Sequence, residues 1–303
     1  MMDDALAGFF PQHEVHVGRD LGGRVTTIGA ADVVHYETGL GGPTLTLPLA
    51  DGRTAAPALL FHSEVYRSLA WYLPNIFGNL HARQEWQLFA PLTVGTTVRT
   101  RSTVVERYLK RGREYVVNEV LLTDEAGRWL QRSRTHQSFL VEAERHGLVV
   151  DRDREKRADR QFAIGEGPGM ALTPFTRTIT IPMCEAFSGP EKNYHTDRAS
   201  AQMLGFPDIV VQGMWSVCLI SELMTTAYGL AWQLGGTLDL RLVNVVWVQD
   251  ALTAHGKVRE EVAEGAKRRL HLDVWCEKPD GTKATVGTAT VLQAAALQAA
   301  ALQ

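Results

Sequence analysis

Two acids and one histidine fall within seven positions of the segment FSGPEKNYHTD, Phe187 to Asp197: Glu191, His195 and Asp197. A carboxylate and an imidazole that close in sequence can share a proton-transfer step, one taking a proton while the other gives one. Gly189 and Pro190 interrupt the segment, which is therefore predicted to be an irregular loop. Asp197 is followed by RASAQML and suits the N-cap or first-turn acid of a short helix, where a carboxylate accepts the free N–H groups of the first turn. Glu191 is then the carboxylate of the segment without a structural reading, four residues before His195.

The segment runs on into a second short element and an apolar stretch. Residues 187–214, FSGPEKNYHTDRASAQMLGFPDIVVQGM, resemble the signature of the MaoC-like (R)-specific enoyl-CoA hydratases and dehydratases. Phe187, Ser188, Gly189, His195, Asp197, Ala201, Gly205, Phe206, Gly213 and Met214 match that signature without a gap. The resemblance implies a hydro-lyase that interconverts a 2-enoyl and a 3-hydroxyacyl thioester without a cofactor or metal. Coenzyme A or an acyl carrier protein would carry the acyl group. It also implies that His195 does acid/base work and that Gly213, at the start of a buried helix, offers a backbone donor to the thioester oxygen. A helix N-terminus has free N–H groups and positive potential, so that role is physically apt. Glycine there also lets the thioester come close to the backbone. Ser188, Asn193, Tyr194, Gln212, Met214 and Trp215 are the expected substrate contacts.

The match is incomplete where the chemistry is most demanding. Adding water across an enoyl thioester takes a base for the water, an acid for C2 and donors for the charge on the thioester oxygen. Pro190 stands where the family has its catalytic aspartate, and proline neither accepts a proton nor donates a backbone hydrogen bond. Lys192 and Asn193 replace the family's Asn and Pro, and Gln212 its His before Gly-Met. Three readings stay open. Glu191, one residue later and one methylene longer, replaces the aspartate; or His195 acts alone, with Tyr194 or Asn193 placing the water. In the third, ordinary hydration is lost, leaving isomerisation, an oxa-Michael ring closure or a silent acyl-binding subunit.

The elements that must position these groups occur twice. PLTVGTTVRTR at 91–101 lies over VVWVQDALTAH at 245–255, and the same offset of 154 (245 − 91) matches Gly127 to Gly281. In each half three runs alternate apolar and polar residues with β-branched and aromatic filling, separated by turn residues such as Asp280-Gly281, which predicts an antiparallel meander. Ahead of each meander lies a helix candidate apolar over most of its circumference, PALLFHSEVYRSLAWYL and GMWSVCLISELMTTAYGLAW. The order fits an α+β repeat, either some other α+β module or, as the resemblance implies, a chain of double hot-dog type with two antiparallel sheets each wrapped around a central helix. Residues 1–150 are the expected N-terminal unit, which lacks the signature and which the resemblance implies is a degenerate acyl-groove partner. A charged linker spans 151–172, the unit with the active site 173–293, and a low-complexity tail without assigned function 294–303.

Composition bounds the partners. With 45% hydrophobic residues and a net charge of −3, the 303-residue chain supports a sizeable core and gives no electrostatic reason to expect nucleic acid or an anionic membrane. No run approaches the ~20 apolar residues of a membrane span. The N-terminus has acids where a signal peptide needs positive charge, so the expected location is cytoplasmic. Cys184, Cys218 and Cys276 lie far apart and read as buried thiols. Five tryptophans, Trp71, Trp86, Trp215, Trp232 and Trp247, read as core or groove lining, and the basic turns at Lys110–Arg113 and Lys267–Arg269 as exposed hairpins. Monomer and homodimer are both compatible with two modules in one chain.

Overall fold

The structure is a computed structural model that describes residues 15–43, 45–67, 80–110, 113–140 and 162–294. The first half contains strands β1 (Asp20–Gly22), β2 (Val25–Thr27), helix α1 (Ala30–Leu40) and a small hairpin of β3 (Leu47–Pro48) and β4 (Thr54–Ala55). It continues with α2 (Glu64–Arg67), β5 (Leu80–Leu88), β6 (Thr97–Lys110), β7 (Arg113–Asp124) and β8 (Trp129–Leu140). The second half repeats the plan with β9 (Met170–Ala171), β10 (Phe175–Thr178), α3 (Ile181–Ser188), α4 (Arg198–Met203), α5 (Met214–Tyr228) and α6 (Leu230–Gln233). It closes with β11 (Thr237–Leu242), β12 (Ala251–Glu264), β13 (Lys267–Glu277) and β14 (Lys283–Ala294). The offset seen in the sequence carries the bounds of β6 onto those of β12 and the bounds of β8 onto those of β14.

The two predicted sheets are joined into one of 12 strands, ten of them in the order β1-β6-β7-β8-β5-β11-β14-β13-β12-β10, with β2 paired to β6 and β9 to β12 beside that path. The seam is the antiparallel pair β5 and β11, where Trp86 faces Leu238 and Gln84 faces Leu240. Arg83 reinforces it with two bonds of 2.6 Å to the Asp239 carboxylate. Pairing the halves edge to edge removes two exposed strand edges, which otherwise invite association with other chains.

Every residue of α5 from Met214 to Thr225 is buried. The predicted helix over 213–232 is instead two pieces, because Gly229 adopts φ 53 and ends α5 before α6 begins. In the first half residues 58–63 are turns and the described helix is only Glu64–Arg67; the rest of the predicted helix, with Trp71, lies outside the described residues. The stretch before the active loop is more regular than its Gly and Pro content suggested. Ile181–Ser188 form α3, with Thr180 as N-cap and Pro182 in the first turn, and Gly189 ends it by donating to the Glu185 carbonyl at 2.8 Å. Helices α1 and α3 pack against each other where Gly39 meets Phe187; a Cβ on Gly39 would lie 3.2 Å from the Phe187 backbone.

The Lys267–Arg269 segment, expected in a turn, starts β13, with Arg268 and Arg269 paired to Glu261 and Glu264. Of the other basic turn, residues 111 and 112 lie outside the described residues. The linker read over 151–172 ends inside the second half's sheet, since β9 pairs with β12. All three cysteines are buried free thiols.

A buried ion pair ties α5 to its sheet. Arg177 of β10 makes two bonds to Glu222 of α5, at 2.6 and 2.7 Å, and a third to the Leu40 carbonyl of α1 at 3.1 Å. The first half has a counterpart in Arg24 and Glu64, 2.7 Å apart. Removing one member of a buried pair strands the other charge, so Arg177→Met is expected to cost about 3–5 kcal/mol of stability in denaturant unfolding. The double variant Arg177→Met/Glu222→Met should recover most of that loss, since no lone carboxylate is left inside.

Candidate active site

The loop between α3 and α4 is organised by Asn193. Its Nδ2 donates to the carbonyls of Ser188 at 3.1 Å and Glu191 at 3.0 Å, and its Oδ1 accepts the His195 backbone N–H at 2.8 Å. The Asn193 N–H in turn donates to Thr196 Oγ1 at 2.9 Å. The Asn193 amide is thus committed to holding the loop in shape around a cis Gly189-Pro190 bond. Asp197 is the N-cap of α4, as its sequence context suggested: one carboxylate oxygen accepts Ser200 N–H at 2.8 Å and the Ser200 hydroxyl at 2.9 Å. Those bonds, with Lys192 nearby, hold its pKa below the usual carboxylate value.

His195 is fixed by its side chain as well. Its Nδ1 lies 2.7 Å from the Val210 carbonyl, which can only accept, so Nδ1 carries the proton and Nε2 presents a lone pair. Val210 is itself anchored: its N–H donates to the Tyr194 carbonyl at 3.2 Å and it bridges to Trp247. The Tyr194 ring tilts against the imidazole at 3.9 Å between centroids and stacks on Phe206. Burial pushes the His195 pKa down to about 4, against a smaller upward pull from the Val210 carbonyl, so the ring is neutral at pH 7. The arrangement is a neutral imidazole in a fixed tautomer, the form a general base needs.

Glu191 is placed differently. It is exposed, and the part of it that bonds within the loop is its carbonyl, which accepts from Asn193 and Thr196. No described contact joins its carboxylate to His195.

Gly213 is the N-cap of α5, with φ −56 and ψ −33. A Cβ there would sit 2.0 Å from Leu242 Cδ2 and 3.5 Å from His81 Nδ1, so the close approach leaves room for glycine alone unless Leu242 moves. Met214 and Trp215 are fully buried in the first turn of α5, and Trp215 donates to the Gly39 carbonyl of the first half at 3.0 Å. Gln212 contributes its carbonyl to the Trp215 N–H at 2.9 Å, while its side-chain Oε1 is buried without a partner among the described residues. Ser188, the last residue of α3, offers its carbonyl to Asn193.

Two groups at Gly213 escaped the sequence analysis. Tyr66 of α2 and His81 of β5 belong to the half that lacks the signature, and the Tyr66 hydroxyl lies 2.8 Å from His81 Nδ1. His81 Nε2 lies 3.1 Å from Gln84 Oε1, which also accepts the Thr135 hydroxyl at 2.9 Å. Their only signal in the sequence is a pair of titratable residues near an otherwise apolar stretch. Among the described residues no three His, Cys, Asp or Glu side chains cluster as metal ligands, and no helix is long and apolar enough to cross a membrane.

No family model matches this chain, and no curated protein matches it in sequence. Solved structures do resemble it. One described as a MaoC-like dehydratase superposes with a TM-score of 0.70 at 14% identity, covering 93% of this chain and 99% of that one. A MaoC-like dehydratase from Phytophthora capsici gives 0.67 at 15% identity, over 94% and 98% of the two chains. A conserved hypothetical protein from Mycobacterium tuberculosis, described as having a double hotdog fold, gives 0.55 at 12% identity, over 93% and 97%. At such identities the likeness is one of fold, and with the joined sheet and the buried α5 it establishes this chain as an α+β double hot-dog protein similar to the MaoC-like dehydratases.

Proposed function

We propose that this chain is a hydro-lyase acting on an acyl thioester, interconverting 2-enoyl and 3-hydroxyacyl forms, with one active site per chain. The observation that carries the reading is the His195 tautomer. Nδ1–H is bound to the Val210 carbonyl, three residues before Gly213, and Nε2 is left as a neutral base on the α3–α4 loop. In hydration His195 Nε2 takes a proton from water as the water oxygen bonds to C3. The charge that builds on the thioester oxygen faces the amides at the start of α5, and the imidazolium returns its proton to C2. One partly buried histidine thus supplies both the base and the acid, and atoms balance without a second carboxylate.

Tyr194 stacks beside the reacting atoms, Gln212 lies at the same turn, and Met214 and Trp215 back the site. Ser188 and Asn193 act through the loop's shape. The acyl chain would run between the halves, with residues 1–150 as groove partner, and coenzyme A or an acyl carrier protein would present it from the solvent side. Fatty-acid or polyketide metabolism in the cytoplasm is the setting this chemistry fits. The names of the similar structures support the reaction class.

The test is direct assay of crotonyl and longer enoyl thioesters for hydration. Glu191→Gln should retain at least about a third of the wild-type rate, because an exposed carboxylate off the proton path contributes well under the 10²–10⁴-fold of a positioned acid/base. A loss of 100-fold or more would instead assign Glu191 the role of the missing aspartate. Absence of hydration with every thioester tested would favour an isomerisation or ring closure that needs one acid/base, a reading to which the exposure of Glu191 lends weight.

A further inference from the structure

The hydrogen-bond chain behind Tyr66 has a fixed polarity. Gln84 Nε2 donates to the Glu85 carbonyl at 2.9 Å, so its Oε1 is the atom that faces His81. An amide oxygen only accepts, so His81 Nε2 carries the proton and His81 Nδ1 does not. The Tyr66 hydroxyl must then donate to His81 Nδ1. Thr135 completes the set by donating to the same Gln84 oxygen, and both Gln84 and Thr135 are fully buried. The two rings meet edge to face at 86°, which leaves the phenol oxygen one direction for the donated hydrogen and its lone pairs for another.

That oxygen stands at the proposed thioester site. The imidazole nitrogen it bonds is 3.5 Å from where a Gly213 Cβ would be. The Met214 amide lies close enough to the phenol oxygen to favour its ionised form, and Tyr194 close enough to disfavour it. Desolvation dominates both and holds the Tyr66 pKa well above its ordinary value, so the hydroxyl keeps its proton throughout the pH range of the enzyme. A neutral, desolvated phenol is a hydrogen-bond donor that costs no charge to bury and strengthens as negative charge develops on its acceptor.

We propose that Tyr66 is a catalytic residue from the first half, whose hydroxyl turns from His81 Nδ1 to donate to the thioester oxygen beside the α5 amides, and that His81 is the positioning residue that holds it ready. The proposal rests on the thioester reading given above. It makes the half without the signature a contributor to the chemistry as well as to the groove. No covalent bond is made or broken in this step: the donor changes acceptor, and His81, neutral and partly buried, returns as acceptor when product leaves.

The test separates carbonyl polarisation from turnover. A saturated or otherwise unreactive acyl thioester labelled with ¹³C at the carbonyl is bound to wild type, Tyr66→Phe and His81→Gln, and its C=O stretch is read by infrared difference spectroscopy. Hydration kinetics and thermal unfolding are measured on the same proteins. Tyr66→Phe should lower kcat by about 10²–10³-fold with KM changed little, as expected for one donor to a developing oxyanion. It should also return part of the wild-type carbonyl shift toward the free value. His81→Gln should give a smaller kcat loss and an intermediate shift, because the phenol is kept and its orientation is not. Equal kcat and equal carbonyl shift in wild type and Tyr66→Phe would overturn the proposal while leaving the hydro-lyase reading standing. A wild type that neither binds nor hydrates any thioester would overturn both. If Tyr66→Phe unfolds early, Tyr66→3-fluorotyrosine, a stronger donor of nearly the same shape, must increase the shift; an unchanged shift refutes the role.

Discussion

His195→Ala is expected to lower kcat for enoyl-thioester hydration by about 10²–10⁴-fold with the fold intact, the range typical of a positioned acid/base group. The imidazole supplies two things that alanine removes: the Nε2 lone pair and the Nδ1–H that fills the Val210 carbonyl. Leaving that carbonyl unpaired costs about 1–3 kcal/mol. Thermal unfolding of the variant therefore shows how much of the loss is structural. His195→Gln is the sharper control, since an amide can still donate to Val210 while offering no base. It should be as inactive as alanine and unfold closer to wild type. The pH profile follows from the same ring. Hydration needs neutral His195, whose pKa burial lowers to about 4, so kcat/KM should stay flat from pH 7 to pH 5 wherever circular dichroism shows the protein folded. A tenfold decline centred near pH 6.5 would show that the base titrates as an exposed histidine and would remove the case for a desolvated site.

What the sequence made legible was what local chemistry encodes. The repeat offset, the meanders, Asp197 as a helix cap and the loop carrying His195 all depend on residues close together in the chain, and the structure has them so. Likewise local are the three thiols, whose burial follows from their apolar neighbours. The helix break at Gly229 was less visible, because the apolar pattern runs straight through it into Trp232 and only the backbone's φ 53 interrupts it. Tyr66 and His81 were beyond reach for a different reason. Their meaning depends on Gly213, a residue in the other half, and the contact arises only when β5 and β11 pair and close the two modules against each other. Glu191 shows the converse. Proximity in sequence put it beside His195, yet the Asn193 bonds turn its carbonyl inward, and the side chain is exposed.

Stability should fall steeply with acid, beginning above the range where carboxylates titrate. His62, His81 and His195 all have pKa values pushed down to about 4, in each case chiefly by burial. Unfolded histidine titrates near 6.5, so between about pH 6.5 and 4 the unfolded chain binds protons that the folded chain refuses. The sign is therefore fixed: full stability above about 6.5, progressive loss as pH falls toward 4. Each such proton gives a slope of about 1.4 kcal/mol per pH unit, so three give at most about 4. The neighbours leave little to offset this. His81 faces Tyr66 and Gln84, with His136 opposing its charge, and His195 faces the Val210 carbonyl. His62 stacks on Phe187 at 4.1 Å and tilts against Tyr36; the carbonyls of Leu59 and Phe187 favour its charge weakly, without a well-formed hydrogen bond to either ring nitrogen. Carboxylates such as Asp197 and Asp208, held below their usual values by hydrogen bonds, add to the loss only below about pH 4.5. Urea unfolding at pH 7, 6 and 5 should thus show a falling midpoint with unchanged slope in urea. His62→Phe, which keeps the stack on Phe187 and removes one titrating group, should flatten the pH dependence by about one third and raise stability at pH 5. A midpoint that does not move between pH 7 and 5 would mean that these imidazoles are solvated in the folded protein, and with them the dry active site on which His195 depends.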